Sequence, residues 1–417
     1  MSVWILWLFI VITQQATDVT KTCDLSHIAD VQSFDVRLPV MTVPSDTTTY
    51  VCQQFQVPDD NVYHAVAFEP VIDNSDVMHH MLLFGCESYI GDMSPHRCGV
   101  TDQRCASWLA QWTLGLKGDV CAYRQTGIRF GKNSFRFFAL QIHWNNANHI
   151  QNSTDSSGMR IFYTKRLRQF DAGNVQIGQN DLEIPPGSAH HSEVGGCSGR
   201  CTKKLLPHPI YLTRTYIHMH YLGSSGKLEL YRHGRLVSDV ATDAPYVYSQ
   251  SPIHNHQPPV LVLPGDELRL TCVFDTKTGD KYRTKPVYFG EGSNAEMCYA
   301  FVTYYPRVQY FDQCIQFAEY DICHSGGRYG NCSFGEFNSL ARKSFIPNVT
   351  KFCSTKTERT QTTCTPECAQ AIKTFKSHAC MQGRLGTYAQ RVVLSTIQRW
   401  PSVKNVMFSN NTDCYMR

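Results

Sequence analysis

Two short runs of histidines in this chain could bind metal ions. His79 and His80 are adjacent in the run MHHMLLFGC, and His218 and His220 flank a methionine in the run YIHMHYLG. Imidazole is the commonest metal ligand in proteins. Residues two apart on a β-strand face the same side, so His218 and His220 can bind one ion together. Two such clusters predict two metal centres, and therefore redox or hydrolytic chemistry.

Each histidine run also has an explanation that needs no metal. Adjacent residues on a regular strand face opposite sides, so His79 and His80 could be one buried and one exposed side chain. They would reach one ion only at a strand end or a twist. His218 and His220 could be two chance histidines on a surface strand. His143, in the apolar run FALQIHWNN, could by itself be an ordinary core histidine.

Met297, in the run AEMCYAFVTYYP, would ordinarily be interpreted as core filler. As a ligand its thioether is soft and selects Cu(I), so two histidines and a methionine would favour the reduced copper that O2 activation needs. A centre of three histidines would store or admit electrons, or alternatively hold zinc. His254 and His256, in SPIHNHQPP, are predicted to lie in a loop and not to bind metal.

Length and charge limit the classes of protein that fit. A chain of 417 residues predicts two or three domains, and a net charge of +4 gives no support for a nucleic-acid partner. The apolar run Val3–Ile12 is too short to cross a bilayer and predicts a signal peptide over residues 1–16, with an uncleaved anchor as the alternative. No other segment is long and apolar enough to cross a membrane.

Cysteines and glycosylation sequons indicate an oxidising compartment. The chain has 18 cysteines, which predict a disulfide framework. Sequons of the form N-x-S/T occur at Asn152, Asn331, Asn348 and Asn410. We therefore expect a disulfide-bonded glycoprotein that is secreted or resides in the lumen of a secretory vesicle.

Most of residues 30–310 has the pattern of β-strands. Short segments rich in β-branched and aromatic residues are bounded by turn formers. The predicted strands are Val51–Val57, Phe135–Trp144, Met159–Thr164, Tyr211–Tyr221, Lys227–Tyr231, Val260–Leu263 and Leu268–Phe274. A short helix is predicted over Ser107–Leu116, and another over Pro366–Cys380 in a cysteine-rich C-terminal module. The pattern predicts an all-β chain of sandwiches.

The histidine and methionine motifs are ordered along the chain as HHM, LQIH, IHMHYLG and EMC. This order, together with the segments DSSGMRIFYTKRLRQFDAGN, IPPG and GGCSGRC, resembles the copper type II, ascorbate-dependent monooxygenases over roughly residues 40–315. The resemblance implies two tandem jelly-roll-type β-sandwich domains, here residues 17–167 and 168–312. A cysteine-rich extension, residues 313–417, follows them.

The resemblance also implies the ligands of two copper ions per chain, with ascorbate as the reductant. The electron-transfer copper would be held by His79, His80 and His143, and the oxygen-binding copper by His218, His220 and Met297. One atom of O2 would enter the substrate at an activated C–H bond, and the other would leave as water. The implied disulfides are Cys52–Cys98, Cys86–Cys105, Cys197–Cys314 and Cys272–Cys298. The resemblance implies no partners for Cys23, Cys121, Cys201 and the C-terminal cysteines.

Residues near the predicted ligands indicate which branch of the family this chain resembles more. The peptide-amidating branch has an arginine two positions before the HxH motif, where this chain has Tyr216, and Arg214 lies two residues further back on the same strand face. Peptide amidation is therefore disfavoured. In the amine-hydroxylating branch, Gln176 corresponds to a glutamate that meets the amine, and Tyr304 to an aromatic position near the substrate ring. Both are candidate substrate contacts.

The resemblance as a whole predicts a dicopper monooxygenase that hydroxylates the benzylic position of a phenylethylamine-like substrate. Its partners would be O2, ascorbate and a small amine or related molecule. Peptidylglycine α-hydroxylation is one alternative, and a non-catalytic secreted copper-binding or matrix protein is another. The cysteine-rich tail could pair two chains into a homodimer or close on itself.

Overall fold

The computed structural model describes most of the chain between residues 23 and 389. The described ranges are 23–86, 88–90, 93–98, 105, 107–114, 116, 120–290, 294–323, 328–329, 331–352, 365–383 and 385–389. The predicted signal peptide and the sequon at Asn410 lie outside these ranges. The predicted all-β architecture is confirmed.

The N-terminal part of the chain forms a β-sandwich. One sheet contains, in spatial order, β1 (Gln32–Arg37), β12 (Gly158–Thr164), β4 (Val62–Val71), β9 (Thr126–Gly131) and β13 (Phe170–Asp171), with β8 (Val120–Cys121) also paired to β4. The facing sheet contains β6 (His96–Arg97), β3 (Thr48–Gln56), β10 (Phe137–Asn145), β5 (Met78–Cys86) and β7 (Ser107–Thr113). A small ladder joins β2 (Met41–Thr42) and β11 (Thr154–Asp155). Apolar side chains such as Phe130, Phe138 and Met81 fill the space between the sheets.

The predicted helix over Ser107–Leu116 is wrong, because Ser107–Thr113 is strand β7. This strand pairs in antiparallel register with β5, and Trp112 lies opposite Met81. The sequence SWLAQWT is rich in aromatic residues, which favour the pleated surface of a sheet. The local helical pattern of this segment is weak, so pairing with a buried neighbouring strand determines its secondary structure.

The C-terminal part of the described chain forms a second sandwich. One sheet contains, in spatial order, β20 (Ile253–Val262), β17 (Ile210–His218), β23 (Cys298–Tyr305), β14 (Gly173–Gln179), β24 (Gln313–Phe317) and β25 (Tyr320–Ile322). The facing sheet contains β16 (His191–Cys197), β21 (Glu267–Phe274), β18 (Gly223–Arg232) and β19 (Arg235–Asp243), and β15 (Glu183–Ile184) pairs with β22 (Val287–Tyr288). Helix α1 (Gly199–Leu205) begins after Ser198, whose hydroxyl accepts a hydrogen bond from the backbone N–H of Cys201.

The segment of His254 and His256 is a strand, not the predicted loop. Both residues belong to β20, which is an edge strand and so tolerates the prolines that follow them. His254 Nε2 lies 2.7 Å from a carboxylate oxygen of Asp243, and His256 Nε2 lies 2.9 Å from the hydroxyl of Thr215. These contacts give both histidines a structural role.

The chain crosses from one sandwich to the other close to Asp171. The predicted boundary between residues 167 and 168 comes just before β13, which pairs in parallel with β9 of the N-terminal sandwich. The predicted boundary between residues 312 and 313 comes just before β24, which pairs in parallel with β14 of the C-terminal sandwich.

The cysteine-rich extension contains β26 (Arg328–Tyr329), β27 (Cys332–Ser333), α2 (Phe334–Leu340), α3 (Ile346–Phe352) and α4 (Pro366–Lys376). The helix predicted over Pro366–Cys380 is confirmed as α4, and the Thr365 hydroxyl caps it by accepting from the backbone N–H of Cys368. Phe337 and Phe375 belong to a small core of this extension. Among the described helices, none has the length and apolar character needed to cross a membrane.

The disulfides tie these parts together. The four predicted pairs, Cys52–Cys98, Cys86–Cys105, Cys197–Cys314 and Cys272–Cys298, are confirmed. The structure adds pairs that the sequence left open: Cys23–Cys121, Cys201–Cys323 and Cys332–Cys380. Cys272–Cys298 fixes the residue next to Met297, and Cys86–Cys105 fixes the far end of the strand that carries His79 and His80.

Candidate metal centres

A β-bulge lets two adjacent histidines face one site. In the ladder between β5 and β10, His80 lies opposite His143, but the next pair is Met78 with Trp144. His79 is therefore the extra residue of a bulge, and a bulge turns the direction of the side chain that it contains. On a regular strand, neighbouring histidines would face opposite sides. The bulge allows His79 and His80 to face the same ion.

Three imidazole nitrogens converge at this bulge. His80 Nδ1 lies 3.2 Å from His79 Nδ1 and 3.3 Å from His143 Nδ1. Ligand atoms of the three residues all lie within 4.8 Å of one another. Nitrogens that share one metal at about 2.0 Å in tetrahedral geometry are about 3.3 Å apart. The three histidines therefore fit a single metal ion bound through their Nδ1 atoms.

The electrostatic environment keeps these imidazoles neutral. Burial, aided by the neighbouring histidines, lowers the pKa of His79 to about 4 and that of His143 to about 3. The same causes lower the pKa of His80 well below its usual value. A neutral imidazole has a free lone pair, so the group can bind a metal near neutral pH without first losing a proton.

Aromatic rings surround the three-histidine centre. The ring of Tyr50 stacks on His143 with centroids 4.3 Å apart and planes 10° from parallel. The hydroxyl of Tyr248, which comes from the C-terminal sandwich, lies 2.8 Å from His79 Nε2. Nδ1 of His79 thus faces the other histidines, and Nε2 of His79 contacts the C-terminal sandwich.

The second pair of histidines lies at the end of β17. The ring centroids of His218 and His220 are 5.2 Å apart, and burial lowers the pKa of both side chains. His220 Nδ1 lies 2.8 Å from the carbonyl oxygen of Ala295, to which it can only donate. Its Nε2 therefore keeps a lone pair for a metal.

Glu296 brings Met297 beside these histidines. Its carboxylate accepts hydrogen bonds from the backbone N–H groups of His220, at 2.8 Å, and Met297, at 3.3 Å. His218 lies opposite Tyr299, which comes two residues after Met297, in the last pair of the ladder between β17 and β23. The structure thus brings together the chain segments of all three predicted ligands.

The two centres face each other across one tyrosine. The ring centroid of Tyr248 lies 5.5 Å from that of His79 and 6.2 Å from that of His220. Both groups of predicted ligands therefore line the same space between the sandwiches.

Comparison with protein families agrees with this geometry. Residues 34–151 match the N-terminal domain of the copper type II ascorbate-dependent monooxygenases, and residues 170–325 match the C-terminal domain. The chain belongs to this family. The predicted cofactors, copper and ascorbate, are the ones that the family description names.

Curated relatives of the monooxygenase family match at about 30% identity. Dopamine beta-hydroxylase of Bos taurus is 32% identical over 67% of this chain and 48% of its own length. MOXD1 homolog 1 of Drosophila melanogaster is 30% identical over 68% of this chain and 44% of its own. Tyramine beta-hydroxylase of Caenorhabditis briggsae is 31% identical over 68% of this chain and 48% of its own. The chain spans about half the length of these relatives.

Within this monooxygenase fold, Phe301 lies beside the second centre, and sequence analysis missed it. Its ring centroid lies 6.2 Å from that of His218, 6.4 Å from that of Tyr216 and 4.9 Å from that of Trp108. Phe301 is four residues after Met297, so the alternation of a strand sets both on one face. That alternation was the signal in the sequence that could have identified it.

The two predicted substrate contacts differ in position. Gln176 lies opposite Phe301 in the ladder between β14 and β23, on the same face of the sheet. Tyr304 is buried, and its hydroxyl donates to the carbonyl oxygen of Phe311 at 3.0 Å. It is five residues from Tyr299 along β23, or about 17 Å. The structure therefore brings Gln176 toward the second centre but does not bring Tyr304 there.

Proposed function

We propose that this chain is a secreted copper- and ascorbate-dependent monooxygenase that hydroxylates an activated C–H bond. The observation that carries the proposal is the three-histidine cluster that faces His220 across the ring of Tyr248. Copper held at the two centres would supply the one-electron chemistry and the O2 activation that amino-acid side chains lack. The protein's own groups hold the ligands, keep the imidazoles neutral and limit water at the site.

The overall reaction balances with ascorbate as the electron donor. Two ascorbate molecules each give one electron and one proton. O2 provides two oxygen atoms, of which one is inserted into the substrate C–H bond and the other is released as water. No further oxidant or reductant is needed.

For the substrate, we propose the benzylic carbon of a phenylethylamine-like molecule. Phe301 and Tyr216 offer aromatic faces beside His218, against which a substrate ring can pack. Gln176 lies on the same sheet face, and its amide oxygen can accept a hydrogen bond from an ammonium group. A neutral amide binds an ammonium less strongly than a carboxylate would, so selectivity for amines should be modest.

The secretory location is supported by the covalent structure. Disulfides join Cys23 to Cys121 and Cys332 to Cys380, near opposite ends of the described chain, and such bonds persist in oxidising compartments. The sequon residues Asn152, Asn331 and Asn348 are exposed, as glycosylation requires.

Ascorbate-dependent O2 consumption during a copper titration tests the function. With phenylethylamine or tyramine, turnover should rise until two copper ions are bound per chain. Met297→Ile should reduce turnover at least about a hundredfold, because loss of a metal ligand removes several kcal/mol of transition-state stabilisation. Met93→Ile, at a methionine that is 39% exposed, is the matched control and should keep full turnover.

Two results would contradict the proposal. If the protein binds two copper ions and yet stays inactive with a broad panel of amines and glycine-extended peptides, a copper-binding or matrix role is favoured. Full turnover in Met297→Ile would instead show that the oxygen-binding copper is assigned to the wrong residues.

A further inference from the structure

Tyr248 joins the two sandwiches at a predicted copper ligand. It begins a short 3-10 turn, Tyr248–Gln250, between β19 and β20 of the C-terminal sandwich. Its hydroxyl oxygen lies 2.8 Å from Nε2 of His79, which is 169 residues away in the N-terminal sandwich. The side chain of one sandwich therefore contacts the outer nitrogen of a ligand in the other.

The geometry of His79 fixes what this contact must do when a metal is bound. His79 Nδ1 faces His80 Nδ1 at 3.2 Å, so Nδ1 is the nitrogen available to a shared metal. A neutral imidazole carries one N–H, and a metal on Nδ1 leaves that hydrogen on Nε2. The Nε2–H group then donates to the Tyr248 oxygen, which orients the ring toward the metal.

Burial makes this hydrogen bond matter. His79 is 7% exposed, so water has little access to its Nε2–H if the tyrosine hydroxyl is removed. A buried N–H donor without a partner destabilises the folded protein. Removing a group that hydrogen-bonds the non-ligating nitrogen of a metal-bound histidine typically lowers metal affinity 10- to 100-fold. This hydrogen bond also requires that the two sandwiches pack against each other, because it joins a residue of one to a residue of the other.

We propose that Tyr248 is a positioning residue for the N-terminal copper, and that it couples the copper affinity of this centre to closure of the two sandwiches. The coupling is reciprocal: copper on His79 favours the closed arrangement, and closure favours copper on His79. The proposal rests on the copper assignment in the proposed function, but it requires no particular substrate.

Copper affinity tests the proposal directly. Cu(I) is titrated into the full-length protein against a chromophoric Cu(I) chelator, and Tyr248→Phe is compared with wild type. The phenylalanine keeps the ring and removes only the hydroxyl. We expect the affinity of one copper to fall by about 10- to 100-fold. In the His143→Ala background, which lacks the N-terminal centre, Tyr248→Phe should have no further effect.

Two further readouts separate positioning from general destabilisation. Small-angle X-ray scattering should show a smaller radius of gyration for wild type with copper than without, and Tyr248→Phe should remove this difference. Tyr246→Phe is the matched control, because it removes a buried hydroxyl of the same segment that bonds to Met219 and not to His79. Tyr246→Phe should leave the affinity of the N-terminal centre unchanged.

A measurement without substitution covers the case in which Tyr248→Phe fails to fold. In Cu(I)-loaded wild type, the ¹⁵N NMR signals of His79 should show a protonated Nε2 and an unprotonated Nδ1. The opposite tautomer, or an unchanged N-terminal copper affinity in folded Tyr248→Phe, overturns this proposal and leaves the proposed function intact. A wild type that binds no copper overturns both.

Discussion

Glu296 organises the segments that carry the predicted ligands of the second centre, although it is not itself one of those ligands. Its carboxylate is almost fully buried and accepts backbone hydrogen bonds from His220, Leu222 and Met297, at 2.8, 2.7 and 3.3 Å. Burial raises its pKa to about 8, although these backbone N–H groups act in the opposite direction. The residue holds two predicted ligand segments in one register.

We predict that Glu296→Gln loosens this arrangement. An amide has one accepting oxygen in place of two, and its NH2 group opposes a backbone N–H that the carboxylate accepted. At about pH 9, where the carboxyl is ionised, the free energy of unfolding in urea should fall by about 2 kcal/mol, as for a buried donor left without a partner. Glu267→Gln, at a half-exposed glutamate paired with Arg269, should change it by less than about 1 kcal/mol. Equal effects of the two substitutions would contradict the assigned role.

At the scale of elements, the pairing of β17 with β23 builds the face that surrounds the second centre. Arg214, Tyr216 and His218 alternate along β17 and lie opposite Thr303, Phe301 and Tyr299 of β23. Arg214 borders a small pocket between the sandwiches, which Trp108 and Ile253 also line. Burial lowers its pKa to about 10, and its guanidinium has no ion pair or hydrogen bond within the part of the chain that the structure describes.

We predict that Arg214→Met raises stability. An unpaired cation in a desolvated site costs free energy, while methionine fills a similar volume with apolar atoms. The free energy of unfolding should rise by at least about 1 kcal/mol. Arg160→Met, on an N-terminal strand, removes a surface pair with Asp35 and should lower stability by less than about 1 kcal/mol. Lower stability of Arg214→Met would mean that the guanidinium makes a favourable interaction in solution.

At the scale of the whole molecule, the crossing between the sandwiches is held by a charged group. Asp171 accepts hydrogen bonds from His64 Nε2 at 2.8 Å and from Arg129 Nε at 2.6 Å. His64 Nδ1 accepts from the backbone N–H of Arg168, so its Nε2 carries the hydrogen that Asp171 receives. Asp171 also accepts, through its backbone carbonyl, from the N–H of Arg307 in the C-terminal part of the chain.

The Asp171 contacts predict a dependence of stability on pH. Burial raises the pKa of this carboxyl, but the hydrogen bonds from His64 and Arg129, together with the charge of Arg129, outweigh burial, so the pKa lies below the usual 3.8. The unfolded chain therefore binds this proton first as pH falls. The stabilisation is complete above about pH 4 and is lost as pH drops through the lowered pKa.

Thermal and urea unfolding of Asp171→Asn between pH 7 and pH 3 checks this prediction. The substitution should cost about 2 kcal/mol at pH 7, a typical value for hydrogen bonds to a charged group. The difference in the free energy of unfolding between Asp171→Asn and wild type should become smaller below about pH 4. A difference in the free energy of unfolding that stays constant over this pH range would mean that the carboxylate charge contributes little to stability.

The sequence alone predicted much of this molecule because its signals are local. Segments rich in β-branched and aromatic residues predicted strands such as β10, and the order of the histidine and methionine motifs identified the family and its cofactors. The family resemblance implied four disulfides, all of which are present. The prediction failed at Ser107–Leu116, where pairing with β5 overrides a weak local pattern.

The sequence by itself determined which side chains are the candidate copper ligands and the order in which they occur. Only the tertiary structure decided how they meet. The bulge at His79 depends on pairing with a strand about 60 residues away, and the contact of Tyr248 with His79 depends on the packing of two sandwiches. A residue's local neighbours fix its strand propensity and the face it occupies. They cannot fix an irregularity or a contact that arises only when distant segments pack together.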